Sequence, residues 1–170
     1  MEVVFTSERL IFRKFTEQDS LLIYDLNSDP EVTKYVHEEP TTKEKALEIL
    51  TNNILPQYQL YSHGRWAVHL KTTNEFIGWC GLKYRPEIDK IDLGYRFKQK
   101  FWGFGYATEA AIRTIQFGFE NLQLKEIFGD AHVENIGSQK VLEKARMQFI
   151  GFDTIDNCPV KSFKITSAVI

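Results

Sequence analysis

The chain has 170 residues, of which 43% are hydrophobic and 26% charged, and its formal net charge is −2. This profile is typical of one folded domain with a single sizeable core. A net charge so close to zero gives no support to bulk binding of nucleic acid or of an anionic membrane surface. We expect neither partner. We also expect a cytoplasmic protein, because no segment reads as a signal peptide or a membrane span.

The cysteines and histidines show no pattern of a metal site. Cys80 and Cys158 stand far apart and lack the spacing of a metal or redox motif. The four histidines likewise show no ligand spacing. We therefore expect reduced cysteines that pack in the fold, and no metal.

The first part of the chain combines one strand with two helices. Residues 9–15 form a short apolar run with charged flanks, which predicts the first strand. Residues 16–19 match a capping box that opens a helix, and a second capping box at residues 41–44 opens another. Proline has no N–H and clashes with the preceding turn, so we expect Pro56 to end the second helix near Ile54.

After the second helix, apolar residues recur at every second position. Residues 66–70, 76–84 and 90–97 alternate in polarity and predict an antiparallel meander. Residues 107–122 return to a helical apolar stripe, and residues 125–133 read as another strand. This order of strand, helix and strand is a βαβ unit, so the two strands should be parallel neighbours.

The C-terminal part completes the predicted fold. Asn135 should cap a short helix over residues 138–145, and residues 149–155 and 161–168 read as two strands. Residues 1–170 are thus predicted to form a single α/β domain. Its sheet is mixed and mostly antiparallel, with helices on both faces and a central parallel βαβ unit.

The loop between Phe97 and Ala107 contains two glycines, Gly103 and Gly105. Glycine accepts φ > 0 and lets the backbone approach a ligand closely. The first N–H groups of the helix that follows have no intrahelical partner, and they lie at the positive end of the helix dipole. These features predict an anion site, for which phosphate is the usual occupant. A tight turn without a ligand is the alternative.

Two motifs resemble a known family. F-W-G-F-G-Y-A-T-E-A at residues 101–110, followed by E-N-I-G-S-Q-K-V-L-E-K at residues 134–144, resembles the GNAT superfamily of acetyl-CoA-dependent N-acetyltransferases. Residues 6–10 and 29–32 are similar to the ribosomal-protein N-terminal (alanine/serine) acetyltransferases within it. The likeness covers nearly the whole chain in order. It implies a sheet of six or seven strands, in which the fourth and fifth splay apart around the pantetheine arm of coenzyme A.

The resemblance also implies a cofactor site. The strand end would pair with the pantetheine amides, and the glycine loop with the helix start would hold the diphosphate. Asn135 would contact pantetheine, and Ser138 would place a hydroxyl near the thioester sulfur as thiolate stabiliser or acid. The implied coenzyme A residues are Tyr95, Arg96, Phe97, Lys100, Phe101, Trp102, Gly103, Phe104, Gly105, Tyr106, Ala107, Thr108, Asn135 and Ser138.

The chain departs from the family pattern at two places. Lys100 replaces the usual Arg or Gln, a tolerable change where the backbone makes the contact. Ala-Arg-Met at residues 145–147 replaces the usual Leu-Gly-Phe after the last helix. If Arg146 keeps the left-handed backbone of that glycine, the strain is about 1–2 kcal/mol.

No general base is obvious in the sequence. Asp92 and Glu31 are the candidates, and each is also explained as a solvated surface acid. A peptide α-amine, with a pKa of about 7.7–8.0, is already partly neutral near pH 7, whereas a lysine ammonium of about 10.4 is not. A weak base is therefore enough for an α-amine. The expected reaction is direct attack of an amine, a protein N-terminal α-amine first of all, on acetyl-CoA in a ternary complex.

Other functions stay open. A small amine acceptor such as a polyamine or an aminoglycoside would favour an acid-lined pocket, for which Glu38, Glu39, Glu44 and Glu87 are available. A catalytically silent acyl-CoA-binding module is another alternative. A P-loop or dinucleotide site is disfavoured, because neither Gly-Lys-Ser/Thr nor G-x-G-x-x-G spacing is present.

The sequence leaves the oligomeric state open. A C-terminal edge strand could pair across a homodimer, or Lys161 and Lys164 could protect that edge from pairing.

Overall fold

A computed structural model describes residues 1–36 and 41–169 of the chain. It has one sheet, whose strands are β1 (Val3–Thr6), β2 (Leu10–Lys14), β3 (Arg65–Leu70), β4 (Phe76–Arg85), β5 (Lys90–Phe97), β6 (Glu126–His132), β7 (Gln148–Ile155) and β8 (Cys158–Thr166). Their spatial order is β1-β2-β3-β4-β5-β6-β8-β7. Neighbours are antiparallel except for β5 and β6, which pair in parallel as the βαβ unit predicted.

Six helices lie in the described part of the chain. They are α1 (Ser20–Asn27), α2 (Pro30–Thr33), α3 (Lys43–Glu48), α4 (Leu55–Tyr61), α5 (Tyr106–Glu120) and α6 (Ile136–Lys144). A π-helical segment, Ile49–Ile54, joins α3 to α4, and a 3₁₀ turn, Gln99–Phe101, follows β5. None of the described helices is long and apolar enough to cross a membrane.

The sheet carries a core on each face. On one face α5 and α6 pack against the strands, and on the other α1 and α3 do so. The first core includes Phe12, Trp66, Leu93, Ala110, Ala111, Ile115 and Leu142. The second includes Ile23, Leu26, Ala46, Leu50, Ile54, Ala67 and Trp79. Trp66 and Trp79 are thus core residues, with 1% and 8% of their surfaces exposed.

Gly118 marks where α5 lies closest to the sheet. A Cβ built there would stand 2.9 Å from Leu82 Cδ1 and 3.0 Å from Ile127 Cδ1. Only glycine fits without a shift of these side chains, and this explains a residue that is otherwise unfavourable inside a helix.

The sheet has one strand more than the six or seven expected. The additional strand is β1, which pairs with β2 through Phe5 and Phe12. The Phe5 ring also stacks on Phe117 of α5, with ring centroids 4.4 Å apart. This burial gives the four-residue strand a stability that its length alone would not provide.

Pro56 does not end the second helix, so that prediction was wrong. Pro56 stands at the start of α4, where a missing N–H is tolerated, and the preceding π-helical segment accommodates its ring. The capping residue of α3 is Thr42, whose hydroxyl accepts the Lys45 N–H at 3.1 Å, one residue later than predicted.

One edge of the sheet is β7, an antiparallel strand near the C-terminus as expected, but the two lysines considered as its protection do not lie on it. Lys161 and Lys164 lie on β8, an interior strand between β6 and β7. They therefore do not protect an edge, and Lys164 instead pairs with Glu126 at 2.7 Å.

Candidate active site

The site is a gap in the sheet between β5 and β6. In the described chain these strands share one bridging pair, Asp92 with Phe128. On its other side β5 is paired with β4 along its whole length, from Lys90 to Phe97. From Gly94 onward β5 therefore has no strand partner on the β6 side. Its backbone groups are available there for an extended, amide-bearing ligand.

The loop after β5 carries a run of free N–H groups. Within residues 1–36 and 41–169, no protein acceptor contacts the backbone N–H groups of residues 103–108. Gly103 and Gly105 have φ of +83° and +81°, and Gly105 is the N-cap of α5. Consecutive N–H groups around residues of positive φ form a concave anion site, and here the N-terminus of a helix adds its dipole.

Two residues of the predicted loop site use their N–H groups internally. Phe101 donates to the Lys98 carbonyl and Trp102 to the Gln99 carbonyl, each at 3.0 Å, within the 3₁₀ turn. These two amides are therefore not available to a phosphate, and the continuous run of free donors begins at Gly103. Lys100 directs its ammonium away to Glu75, 2.6 Å from the carboxylate.

A depression of about 560 Å³ adjoins the loop. Its lining includes Ser7, Gly105, Thr108 and Lys144. The depression leaves room beside the free N–H groups for a group larger than a diphosphate.

Ser138 lies next to the gap and is hydrogen-bonded to Tyr95 of β5. The two hydroxyl oxygens are 2.8 Å apart, and the Tyr95 hydroxyl is also 3.0 Å from the Ser138 carbonyl. Asn135 caps α6 by accepting the Ser138 N–H at 3.1 Å, which fixes the serine at the first turn of the helix. Burial raises the pKa of the Tyr95 phenol above its ordinary value of 10.0, so the hydroxyl keeps its proton.

The chain from β6 to α6 is fixed by a buried glutamine. Gln139 Nε2 donates to the carbonyls of His132 and Val133, both at 3.0 Å. These bonds hold the first turn of α6 against the end of β6. Ser138 therefore reaches Tyr95 from a rigid support.

Asp92 lies at the closed end of the gap, on the opposite face of the sheet. Leu93 and Tyr95 point toward α5, so the alternation of β5 sends Asp92 to the other face. Its Oδ1 atom is shielded from solvent and has no hydrogen-bond partner among the described residues. Burial and the neighbouring charge of Asp130 raise the pKa of Asp92 to about 7, well above its ordinary value of 3.8.

Cationic side chains surround Asp92. Lys83 stands opposite it on β4, and Arg85 stands opposite Lys90 two pairs further along. Arg65, Lys83 and Arg85 all act to lower the pKa of Asp92, against the effect of burial. Burial and the charges of the two arginines in turn lower the pKa of Lys83. The charged groups near this carboxylate are thus three cations and the carboxylate of Asp130.

The other residues predicted for the site fall in several places. Glu31 is in the exposed first turn of α2, and no described contact brings its carboxylate to Asp92. Arg96 donates to Asn27 Oδ1 at 2.7 Å, which ties the end of β5 to α1. Tyr106 packs its ring against the Arg9 guanidinium, 4.4 Å away, as a loop packing residue would. Beside these residues, the Tyr35 ring packs at a tilt against His132, with ring centroids 5.4 Å apart.

Sequence reasoning missed the side chain of Tyr95. Only its backbone was assigned a role, although Tyr95 shares the inward face of β5 with Ile91 and Leu93. A buried phenol normally finds a hydrogen-bond partner, and this rule was the available signal. Among the described residues, no group of three or more His, Cys, Asp or Glu side chains could hold a metal ion.

The sequence of this chain matches a known domain. Residues 9–148 match the family model of the acetyltransferase (GNAT) domain. The chain belongs to the GNAT acetyltransferase family. It is therefore an acyltransferase that uses acetyl-CoA as the acetyl donor and an amine as the acceptor, and the gap between β5 and β6 is the candidate active site of a GNAT enzyme.

Relatives of similar length support this membership. The chain is 33% identical to the uncharacterized N-acetyltransferase p20 of Bacillus licheniformis over 149 residues, which cover 87% of this chain and 83% of p20. It is 28% identical to a GNAT-family acetyltransferase structure from Bacillus anthracis, with a TM-score of 0.81 and 98% of each chain covered. The GNAT fold of this chain is thus shared over nearly its full length.

Two solved structures with a similar fold are named for the amine substrate that each enzyme acetylates. RimL, a ribosomal L7/L12 α-N-protein acetyltransferase in complex with coenzyme A, superposes with a TM-score of 0.81 at 15% identity, covering 97% of this chain and 98% of RimL. A Vibrio cholerae spermidine N-acetyltransferase superposes with a TM-score of 0.78 at 20% identity, covering 94% and 96%. At such identities the likeness shows the fold alone.

Proposed function

We propose that this GNAT enzyme acetylates protein N-terminal α-amines by direct attack on acetyl-CoA in a ternary complex. The observation that carries the proposal is the placement of Asp92 and of the Tyr95–Ser138 pair on opposite faces of the gap between β5 and β6. An acceptor amine needs a proton acceptor and a departing thiolate needs a hydrogen-bond donor, on opposite sides of one carbonyl. The two faces of the gap supply them.

The residues around the gap fit coenzyme A. The unpaired edge of β5, from Tyr95 to Phe97, offers backbone groups to the amides of pantetheine. The free N–H groups of residues 103–108 offer donors to the diphosphate. Asn135 keeps amide hydrogens for pantetheine, since its cap uses only the oxygen. Acetyl-CoA supplies the acetyl group as a thioester, and the chain supplies position and proton transfer.

Ser138 and Tyr95 serve the leaving group. As the C–S bond breaks and coenzyme A leaves as a thiolate, Ser138 stabilises the sulfur with a hydrogen bond from its hydroxyl, while Tyr95 turns its single hydrogen from the Ser138 carbonyl to the Ser138 hydroxyl oxygen and keeps its proton. The thiolate takes its proton from solvent after it leaves. The phenol can donate in this way because it is protonated throughout the working range. Positioned donors to a developing anion typically contribute a factor of about 10² or more to the rate.

Asp92 serves the acceptor. It accepts the proton that the amine nitrogen loses as the N–C bond forms. Its pKa of about 7 lies within one unit of a peptide α-amine at about 7.7–8.0, so the proton transfer is nearly balanced in energy. A lysine or polyamine ammonium, at about 10.4, is mismatched by about three units.

The charges around Asp92 favour the same acceptor class. Arg65, Lys83 and Arg85 offset the carboxylates of Asp92, Asp130 and Glu87 there, so this face offers no net negative charge to attract a substrate with several positive charges. Of the acids available for a cationic pocket, Glu87 is paired with Arg85 at 2.9 Å, and Glu44 is exposed in the first turn of α3. Glu38 and Glu39 lie outside the described residues.

An acceptor panel tests the proposal. The enzyme is incubated with acetyl-CoA and with N-terminal peptides, polyamines or aminoglycosides, while free thiol and product mass are followed. Each peptide is matched with an Nα-blocked copy that keeps one lysine. We expect thiol release and a gain of one acetyl group with the free peptides, and none with the blocked copies. Turnover confined to polyamines or aminoglycosides would overturn the acceptor, and coenzyme A binding without any turnover would favour a silent module.

A further inference from the structure

The turn between β1 and β2 contacts the glycine loop through one carboxylate. Glu109, in the first turn of α5, accepts hydrogen bonds from the Ser7 hydroxyl at 2.6 Å and from the Arg9 backbone N–H at 2.8 Å. It also accepts from Arg9 Nε at 2.6 Å. A carboxylate with this many donors is held in one position. The N-terminal turn and the start of α5 are therefore fixed to each other.

Arg9 reaches the loop itself as well as Glu109. Its Nη1 atom donates to the Phe104 carbonyl at 3.0 Å, between the two glycines. Its guanidinium lies 4.4 Å from the centre of the Tyr106 ring, immediately after Gly105. A Cβ built on Gly105 would stand 3.5 Å from Arg9 Nη2. One side chain thus contacts the loop on both sides of the Gly105 N-cap.

Such a contact matters because this loop would otherwise be mobile. Gly103 has nothing within 4 Å of its Cβ direction, and glycine loses more conformational freedom on ordering than any other residue. If the loop becomes ordered only when the ligand binds, the conformational entropy that it loses lowers the affinity for the ligand. A loop held in place beforehand does not.

Arg9 also neutralises an acid at an anion site. Burial raises the pKa of Glu109, but hydrogen bonds from Ser7 and Arg9 outweigh this effect and hold the pKa below its ordinary value. Glu109 is therefore an anion within one turn of the free N–H groups. An unpaired carboxylate there would repel a diphosphate, and the Arg9 guanidinium offsets its charge.

We propose that Arg9 and Glu109 are positioning residues that hold the glycine loop in its diphosphate-binding conformation before coenzyme A binds. The inference rests on the proposed use of that loop for coenzyme A. It assigns a role in ligand binding to the β1–β2 turn, which lies outside the gap between β5 and β6. Arg9 acts through the loop and Glu109, and neither residue touches the reacting atoms.

The test compares Arg9→Gln, Glu109→Gln and the double variant with Lys14→Gln. Lys14 lies at the other end of β2 and forms an ion pair with Glu2 at 2.8 Å, away from the loop, so its variant controls for loss of a cation and its pair. Coenzyme A binding is measured by calorimetry. We expect Arg9→Gln to raise the Kd about 10-fold and Glu109→Gln about 3-fold. The double variant should bind no worse than Arg9→Gln, because the repelling charge is gone, and Lys14→Gln should bind like the wild type.

Two further readouts separate positioning from general stability. In steady-state kinetics, Arg9→Gln should raise the KM for acetyl-CoA while kcat and the acceptor KM stay within about twofold. In the free protein, the amide order parameters of Gly103 and Gly105 should fall from about 0.85 toward 0.6, while other loops are unchanged.

The possible outcomes are distinct. If the wild type binds coenzyme A and Arg9→Gln binds equally well, or if Arg9→Gln and Lys14→Gln lose affinity equally, the positioning role is wrong. A lowered unfolding midpoint with unchanged loop order parameters would also contradict it. If the wild type itself does not bind coenzyme A, the cofactor assignment fails first, and the positioning role fails with it.

Discussion

The Tyr95 phenol lies 2.8 Å from the Ser138 hydroxyl, joining the unpaired edge of β5 to the first turn of α6. A serine that stabilises a thiolate needs its hydrogen to point at the sulfur. The single hydrogen of the Tyr95 phenol lies within reach of both the Ser138 carbonyl, at 3.0 Å, and the Ser138 hydroxyl oxygen. In the proposed mechanism it is donated to the hydroxyl oxygen, which leaves the serine hydrogen free for the sulfur and strengthens it as a donor.

Removing either hydroxyl should lower turnover more than binding. We expect Ser138→Ala to lower kcat about 100-fold and Tyr95→Phe about 10-fold, with the KM for acetyl-CoA within about threefold. The double variant should be little worse than Ser138→Ala, because the two hydroxyls act in series. Stopped-time assays of free thiol measure these rates.

Tyr84→Phe is the matched control, since Tyr84 donates to Asp89 at 2.8 Å in the hairpin between β4 and β5. It removes a phenol and a hydrogen bond away from the gap and should keep full activity. Full turnover of Ser138→Ala would show that the thiolate role is wrong.

Gly105 should not tolerate a β-branched residue if the loop binds phosphate. Its φ of +81° is left-handed, and a side chain adds about 1–2 kcal/mol of strain there. We expect Gly105→Val to abolish measurable binding of coenzyme A, because the loop shifts its N–H groups to relieve the strain. Calorimetry measures the binding, and circular dichroism checks that the fold is kept.

Gly151→Val serves as its control, because Gly151 has a φ of +141° and open space around it on β7, far from the loop. This variant should carry strain but bind coenzyme A normally. Unchanged affinity in Gly105→Val would contradict the phosphate assignment.

Arg146 has the left-handed backbone expected from its position after the last helix. Its φ is +67°, and the Met147 N–H closes the helix by donating to the Leu142 carbonyl at 3.1 Å. Arg146→Gly should therefore raise the free energy of unfolding by about 1 kcal/mol. Urea denaturation at constant slope measures the change.

Lys144→Gly introduces glycine two residues earlier, at the last residue of α6, and should lower stability by up to about 1 kcal/mol. A loss of stability in both variants would show that the backbone at residue 146 is not strained.

The buried Asp92 should make stability depend on pH. Its pKa is raised in the folded state. Its contribution to the free energy of unfolding is therefore fully present below about pH 3.8 and is lost as the pH rises through about 7. Asp92→Asn, which is always neutral, should be more stable than the wild type at pH 8, with an upper bound of about 4 kcal/mol. The difference should shrink toward pH 5.

Thermal unfolding at both pH values measures this difference. Asp89→Asn is the matched control, because Asp89 is exposed in the hairpin between β4 and β5 and accepts the Tyr84 hydroxyl at 2.8 Å. Its effect on stability at pH 8 should be smaller. An Asp92→Asn variant that is less stable than the wild type at both pH values would contradict the buried, unpartnered state of this carboxylate.

Much of the fold follows from local patterns in the sequence. The period-two runs of β3 to β5, the stripe of α5 and the Asn135 cap all formed as their side chains predict. Gly103 and Gly105, together with the start of α5, predict the anion site by themselves. These features depend on neighbours in sequence, so local chemistry decides them.

The errors arose where distant contacts overrode local chemistry. The chain continues past Pro56 because Leu50 and Ile54 are buried and because Tyr58 of α4 bonds the Phe15 N–H and the Arg65 carbonyl. Local helix propensity does not reveal these tertiary contacts. The sequence also left the order of the last two strands open, because β8 pairs with β6 between residues that lie far apart in the chain, which leaves β7 at the edge.

The candidate site was predicted in outline only. Ser138 and the loop were placed by their motif, but the roles of Tyr95 and Arg9 depend on contacts between residues 43 and 100 positions apart in the sequence. The sequence alone does not separate Asp92 from Glu31 as the proposed base. Asp92 is half-buried and its Oδ1 atom has no hydrogen-bond partner among the described residues, whereas Glu31 is exposed.

The most direct test of the mechanism is the pH dependence of kcat/KM for a peptide acceptor, in the wild type and in Asp92→Asn. Below about pH 6.5, both Asp92 and the α-amine must lose a proton in the wild type, so log kcat/KM should rise with a slope of about two. Only the amine remains in Asp92→Asn, and the slope should fall to about one, with a lower plateau above pH 8. Equal slopes and equal plateaus in the two proteins would contradict the role of Asp92 as the base.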